Sequence, residues 1–230
     1  MRTNPFPIRL MFHVSRLDPR AETAPEPSLD GAFAPCLQEI FPGPHPASGT
    51  GFALAQLGAC DRPLLWVQER TAIREGGRPF PHGSPFGCDI IHVAASNAKN
   101  ALWAMEEGLR CKALSAVIGE LWGEPAALDF TATRRLAVAS EKHGVPAFLL
   151  RIGGAPNLSG ARQRWRIGPA PSPPHRWNPA APGTAAFSAE LFRSRTRAPA
   201  SWTLHHDGAA NRLDLAPEAG DRALGESQAG

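Results

Sequence analysis

Leu114-Ser-Ala-Val-Ile-Gly-Glu-Leu121, Asp129-Phe-Thr-Ala-Thr-Arg-Arg-Leu136 and Pro146-Ala-Phe-Leu-Leu-Arg-Ile152 read in turn as strand, helix and strand. The two outer runs are almost continuously apolar, the pattern of strands buried on both faces of a parallel sheet. Between them Asp129 caps a helix carrying Ala132, Leu136 and Ala139 at helical spacing, which Gly144 ends with Pro146 just beyond. Upstream, Pro63 to Glu69 and Asp89 to Ala95 are two more apolar runs, and Ala98 to Cys111 is a helix with Leu102, Met105 and Leu109 on one face. The series from residue 89 is βαβαβ. Right-handed crossovers turn it into an open α/β sheet, mostly parallel and flanked by helices.

After residue 160 the pattern changes to alternation. Arg162, Arg164 and Arg166 share one face of a predicted strand, with Gln163, Trp165 and Ile167 on the other, and Arg193, Arg195 and Arg197 repeat the device. Ser201 to His206 is a third alternating strand. These predict antiparallel strands added at the C-terminal edge of the sheet. Residues two apart on a strand are roughly 6.5 Å apart, near the spacing of successive phosphates, so each arginine row either tracks a nucleic-acid backbone or faces water. Between the rows, Gly168 to Gly183 holds six prolines and is expected to be a loop.

Ahead of the sheet lies Gly43-Pro-His-Pro-Ala-Ser-Gly-Thr-Gly51, which has the frame of a phosphate loop opening a helix around Phe52 to Leu57. A working G-x-x-x-x-G-K-[ST] loop cradles phosphates with backbone N–H groups, neutralises them with lysine and holds magnesium with a hydroxyl. Here Ser48 and Gly49 lead into Thr50 where lysine belongs and Gly51 where the hydroxyl belongs, and the glycine spacing is one residue too long. The loop has the form of a degenerate P-loop, and taken alone a plain Pro/Gly turn leading into the helix is the simpler reading.

The chain of 230 residues, 43% hydrophobic, suits one globular domain with tails. Its net charge of +3 hides an asymmetry: residues 1–133 carry −3, 134–203 carry +9 and 204–230 carry −3. The basic segment points to an acidic partner or a solvated arginine surface, and the acidic Gly/Ala/Glu tail reads as unfolded. Cys36, Cys60, Cys88 and Cys111 form no C-x-x-C pair, which disfavours zinc and a disulfide framework and fits a reducing cytosol. The eight histidines show no ligand spacing. The longest uncharged stretch, Ile40 to Cys60, is broken by three prolines and four glycines, so no membrane helix is expected, and the N-terminus does not read as a secretory signal.

Trp103 lies on the helix face of Glu106, Glu107 and Arg110, opposite Leu102, Met105 and Leu109. An aromatic among charges is either a contact anchor or a lid under a loop. Trp122, placed in the loop after the third strand, is a second candidate anchor for a protein partner.

Arg62-Pro-Leu-Leu-Trp-Val-Gln-Glu69, Lys99-Asn-Ala-Leu-Trp-Ala-Met-Glu-Glu-Gly-Leu-Arg110, Ala116-Val-Ile-Gly-Glu-Leu-Trp122 and Leu128-Asp-Phe-Thr-Ala-Thr-Arg-Arg-Leu136 together resemble the ImuA family, as do Arg164-Trp-Arg-Ile-Gly168 and Arg193-Ser-Arg195. The resemblance implies a RecA-like domain over 36–206, between a poorly ordered extension (1–35) and a disordered acidic tail (207–230). It implies a role in DNA-damage-induced (SOS) error-prone translesion synthesis, with an ImuB-like polymerase homologue and an error-prone replicative-type DNA polymerase as partners, single-stranded DNA as a further contact, and a cytoplasmic location. By the same resemblance Glu69 falls where RecA-type ATPases place the water-activating glutamate, and Glu120 where the magnesium-organising aspartate belongs. Two carboxylates without lysine or hydroxyl repel a nucleotide's phosphates, so neither ATP nor magnesium is an expected cofactor. Ordinary strand-end carboxylates paired with arginines are the plainer reading of both. Two functions stay open: a non-catalytic adaptor, or a divergent RecA-like DNA-binding ATPase with weak nucleotide dependence.

Overall fold

The computed structural model describes residues 35–43, 46–58, 60–80, 88–209 and 211–216. The N-terminal extension up to residue 34, the tail from residue 217, and Pro44 and His45 of the glycine loop lie outside the described residues. Along the chain run β1 (Leu37–Pro42), α1 (Pro46–Ala55), β2 (Leu64–Glu69), α2 (Arg70–Gly76), β3 (Ile90–Ala95), α3 (Ala98–Leu109), β4 (Ala116–Trp122), α4 (Phe130–His143) and β5 (Ala147–Ile152). Then follow β6 (Gln163–Pro169), β7 (Ala186–Ser194), β8 (Ala200–Asp207) and β9 (Arg212–Leu215).

All nine strands make one sheet in the order β3-β2-β4-β5-β1-β6-β7-β8-β9. Pairing is parallel from β3 through to β6 and antiparallel from β6 to β9. This is the expected mostly parallel sheet with antiparallel strands at its C-terminal edge. The apolar runs are explained by two covered faces: Leu65, Val67, Val117 and Leu149 meet α3 and α4, while Trp66, Ile118, Phe148 and Leu150 pack with Phe52 of α1 and with Trp165 and Phe187. Asn97 caps α3 by accepting the Asn100 N–H at 2.9 Å. Asp129 caps α4 through the Ala132 N–H at 2.7 Å, and Gly144 closes that helix at φ 72°.

Several elements differ from the sequence expectation, among them α2, which no expected helix covers, and β7, which ends at Ser194. β1, Leu-Gln-Glu-Ile-Phe-Pro, is fully buried between β5 and β6 and lies outside the expected strands, because Gln38 and Glu39 interrupt its apolar pattern. Tertiary partners satisfy both: Trp165 Nε1 donates to Gln38 at 2.9 Å, and two arginines bind Glu39. α1 begins at Pro46 rather than near Phe52, proline being favoured at a first helical position. The sheet also runs past residue 206, since β9 pairs with β8 through Leu204↔Leu215 to Asp207↔Arg212.

Candidate functional site

The glycine-rich segment sits between β1 and α1, and early helix formation changes its chemistry. Ser48, Gly49, Thr50 and Gly51 all lie inside α1 rather than in a loop. Helix N-termini bind anions through their free N–H groups, and Pro46 supplies none. Gly49 is fixed by packing: a Cβ there would stand 2.9 Å from Pro42 Cβ and 3.3 Å from Ile40 Cγ2. At Gly51 a Cβ would meet the Phe187 ring at 3.2 Å, so both glycines hold α1 against the sheet.

Beside α1 opens a cleft of about 500 Å³, walled by Leu54, Trp66, Ile90 and Ile152, with Arg78 contributing to its lining. Glu120 is its carboxylate. It is buried, and three neutral donors hold it: Trp66 Nε1 at 3.0 Å, Gln68 Nε2 at 2.7 Å and Thr50 Oγ1 at 3.4 Å. Burial pushes the Glu120 carboxyl above the ordinary glutamate value, and those three hydrogen bonds oppose the shift. Gln68 Nε2 also donates to the Gly77 carbonyl at 3.0 Å, so its oxygen accepts from His92 Nε2 at 2.9 Å. That assigns the proton to His92 Nε2, and burial first, then the Arg78 charge, lowers the imidazole pKa.

Glu69 does not join this cleft. It continues the row of Leu65 and Val67 toward α3, whereas Glu120 continues Ala116 and Ile118 toward α1, so the sheet separates the two carboxylates. Glu69 Oε1 accepts the Trp122 backbone N–H at 2.9 Å. The plainer expectation of arginine pairing therefore needs correcting as well, since the carboxylates' partners are amide, indole and hydroxyl donors. Among the described residues no cluster of three or more metal-ligating side chains occurs.

The first arginine row shares a face, since Trp165 and Ile167 belong to the α1-side core, but its charges are spent within the fold. Arg162 holds Glu141 through both Nε and Nη2, the latter at 2.8 Å. Arg164 reaches Glu39 at 2.7 Å, and Arg166 reaches Glu190 at 2.8 Å. Arg164 is buried, and Arg151, a charge inside an otherwise apolar strand, joins it on Glu39 at 3.3 Å. Both guanidiniums lie over the Phe41 ring, at 5.4 and 5.3 Å, and Arg164 and Arg166 also face Phe192. The second row is not one strand: Arg193 ends β7 with Ser194, while Arg195 and Arg197 lie in the following bend, and all three are exposed.

Trp103 is 63% exposed on α3, beside a hollow bounded by Lys99, Glu106 and Arg135. Trp122 is no loop residue. It ends β4, half-buried against the α1-side core.

No described helix is long and apolar enough to cross a membrane. No family model matches the chain. The fold is similar to the crystal structure of the RadB recombinase, with a TM-score of 0.53 at 15% identity over 82% of this chain and 94% of that one. The sheet, its flanking helices and its antiparallel edge are thus a RecA-like fold. Protein ImuA of Caulobacter vibrioides, from strains NA1000/CB15N and ATCC 19089/CIP 103742/CB 15, is 32% identical over 204 residues, covering 78% of this chain and 80% of the relative. On that extent of identity, the chain belongs to the ImuA family.

Proposed function

We propose that this chain is a non-catalytic adaptor of damage-induced, error-prone translesion synthesis in the cytoplasm, and that it binds an ImuB-like polymerase homologue which in turn works with an error-prone replicative-type polymerase. Family membership and the RecA-like fold support a role in the ImuA/ImuB mutagenesis system. The engagement of Glu120 is the observation that favours an adaptor over an ATPase. Where a RecA-type site would organise magnesium, the carboxylate is buried and hydrogen-bonded to Trp66, Gln68 and Thr50. No lysine stands in the segment 43–58, and Pro46 removes one helix N–H. These residues do not fit a magnesium-bound nucleotide, whose phosphates need cationic neutralisation and free amides.

Two measurements test the reading. Purified full-length chain should hydrolyse magnesium-ATP at background rates, with or without single-stranded DNA, and should co-purify with the ImuB-like protein of the same organism. DNA-stimulated turnover that disappears in Glu69→Gln would establish the divergent ATPase instead.

A further inference from the structure

α3 and α4 lie side by side, and the valley between them holds two hollows, of about 510 and 160 Å³, that meet at Glu106 and Arg135. Their charged lining is one-sided. Five cations, Lys99, Arg110, Arg134, Arg135 and Lys142, surround one carboxylate, Glu106. Arg110 at 3.4 Å and Arg135 already bind Glu106. Lys99, Arg134 and Lys142 are exposed and have no carboxylate partner among the described residues.

Sequence spacing orders these cations. Arg134, Val138 and Lys142 are four residues apart on α4 and form a single stripe, cation, apolar, cation, with the outer two about 12 Å apart along the axis. Val138 is 47% exposed, and Trp103 offers a second apolar surface at the other end of the valley. Among the described residues, no salt bridge engages Arg134 or Lys142 of this stripe.

We propose that the α3–α4 valley is the docking site for an acidic amphipathic segment of a partner protein. The occupant carries two carboxylates about 12 Å apart, which is eight residues on a helix or four on an extended strand, with an apolar side chain between them. The carboxylates meet Arg134 and Lys142, the apolar side chain covers Val138, and a second apolar group packs on Trp103. Charge complementarity selects acidity, while the exposed Val138 between the cations selects a peptide over a nucleic acid, because a sugar–phosphate chain gains nothing from burying an aliphatic side chain. The proposal rests on the adaptor reading and names the surface that serves it.

The test titrates the purified ImuB-like protein into the full chain at low and high salt. Wild type should bind, more weakly as salt rises. Arg134→Glu/Lys142→Glu and, separately, Val138→Asp should each weaken binding about tenfold or more, with unchanged melting temperatures because all three side chains point to solvent. Arg176→Glu, in the loop between β6 and β7, should bind like wild type. Should a charge-reversal variant fold poorly, Lys142→Ala and Val138→Ser carry the same comparison in milder form. Wild-type affinity in the groove variants would overturn the docking site and leave the adaptor reading standing. Failure of the wild-type chain to bind the ImuB-like protein at all would remove both. Groove variants that keep the partner but lose an oligothymidylate probe would make the valley a nucleic-acid contact and overturn the proposal.

Discussion

Glu39 shows how much one side chain holds in place. It lies in the centre of the sheet with no exposed surface, bridging Arg151 of β5 and Arg164 of β6 across β1. Removing one partner of a buried ion pair strands the other charge, and here two guanidiniums would be stranded. Glu39→Ala is therefore expected to cost about 3–5 kcal/mol, measured as the loss in urea unfolding free energy, whereas an exposed pair such as Arg74–Glu75 contributes no more than about 1 kcal/mol. Glu120 gives a pH signature. Its carboxyl titrates above the ordinary glutamate value in the folded chain, so the folded state binds this proton more tightly than the unfolded state. The resulting stability is complete below the ordinary value and is lost as pH rises through the raised one. Glu120→Gln removes that titration, and the fall in urea midpoint across this window should flatten. An unchanged pH profile would mean that Glu120 is ionised and solvated.

The junction of α1 with β1 depends on contact distances rather than on charge. Alanine usually favours a helix over glycine by about 1 kcal/mol, but at Gly49 the added methyl would press on the Pro42 ring, which cannot rotate away. Gly49→Ala should then destabilise by about 1–3 kcal/mol. Gly160 is tighter still, because its Cβ would lie 2.6 Å from the Arg134 Cα, a backbone atom of α4. Its N–H also donates to Thr133 Oγ1 at 2.9 Å, tying the segment before β6 to that helix. Thermal melts should rank Gly160→Ala below Gly49→Ala. Equal melting temperatures for both variants and wild type would show that these contacts relax freely.

At the scale of the whole molecule, the basic stretch 134–203 carries +9 in the sequence, but folding spends part of it. Arg162, Arg164 and Arg166 pair with Glu141, Glu39 and Glu190, Arg166 from an exposed position, and Arg193, Arg195 and Arg197 are exposed as well. With roughly 0.7 of a counterion released per contacted phosphate, three arginines give single-strand binding a log-log salt slope no steeper than about −2, against about −4 for all six. Fluorescence anisotropy of labelled oligothymidylate across a salt series measures it, and the steeper value would mean that the first row leaves its carboxylates to contact phosphate. The alternation of runs and punctuation determined the parallel sheet, α3, α4 and the antiparallel edge from sequence alone, because hydrophobic period and capping are local properties of the chain. The lack of lysine in the glycine-rich segment was equally legible, being a fact of sequence, but that Ser48 to Gly51 lie inside α1 was not. Only the tertiary structure decided the rest, because it depends on which distant side chains meet. It placed Gln38 and Glu39 in a buried central strand, set Glu69 and Glu120 on opposite faces, and paired the first arginine row with carboxylates. A polar residue's fate is set by its partners in space, and those lie as far apart in the sequence as Glu39 and Arg164.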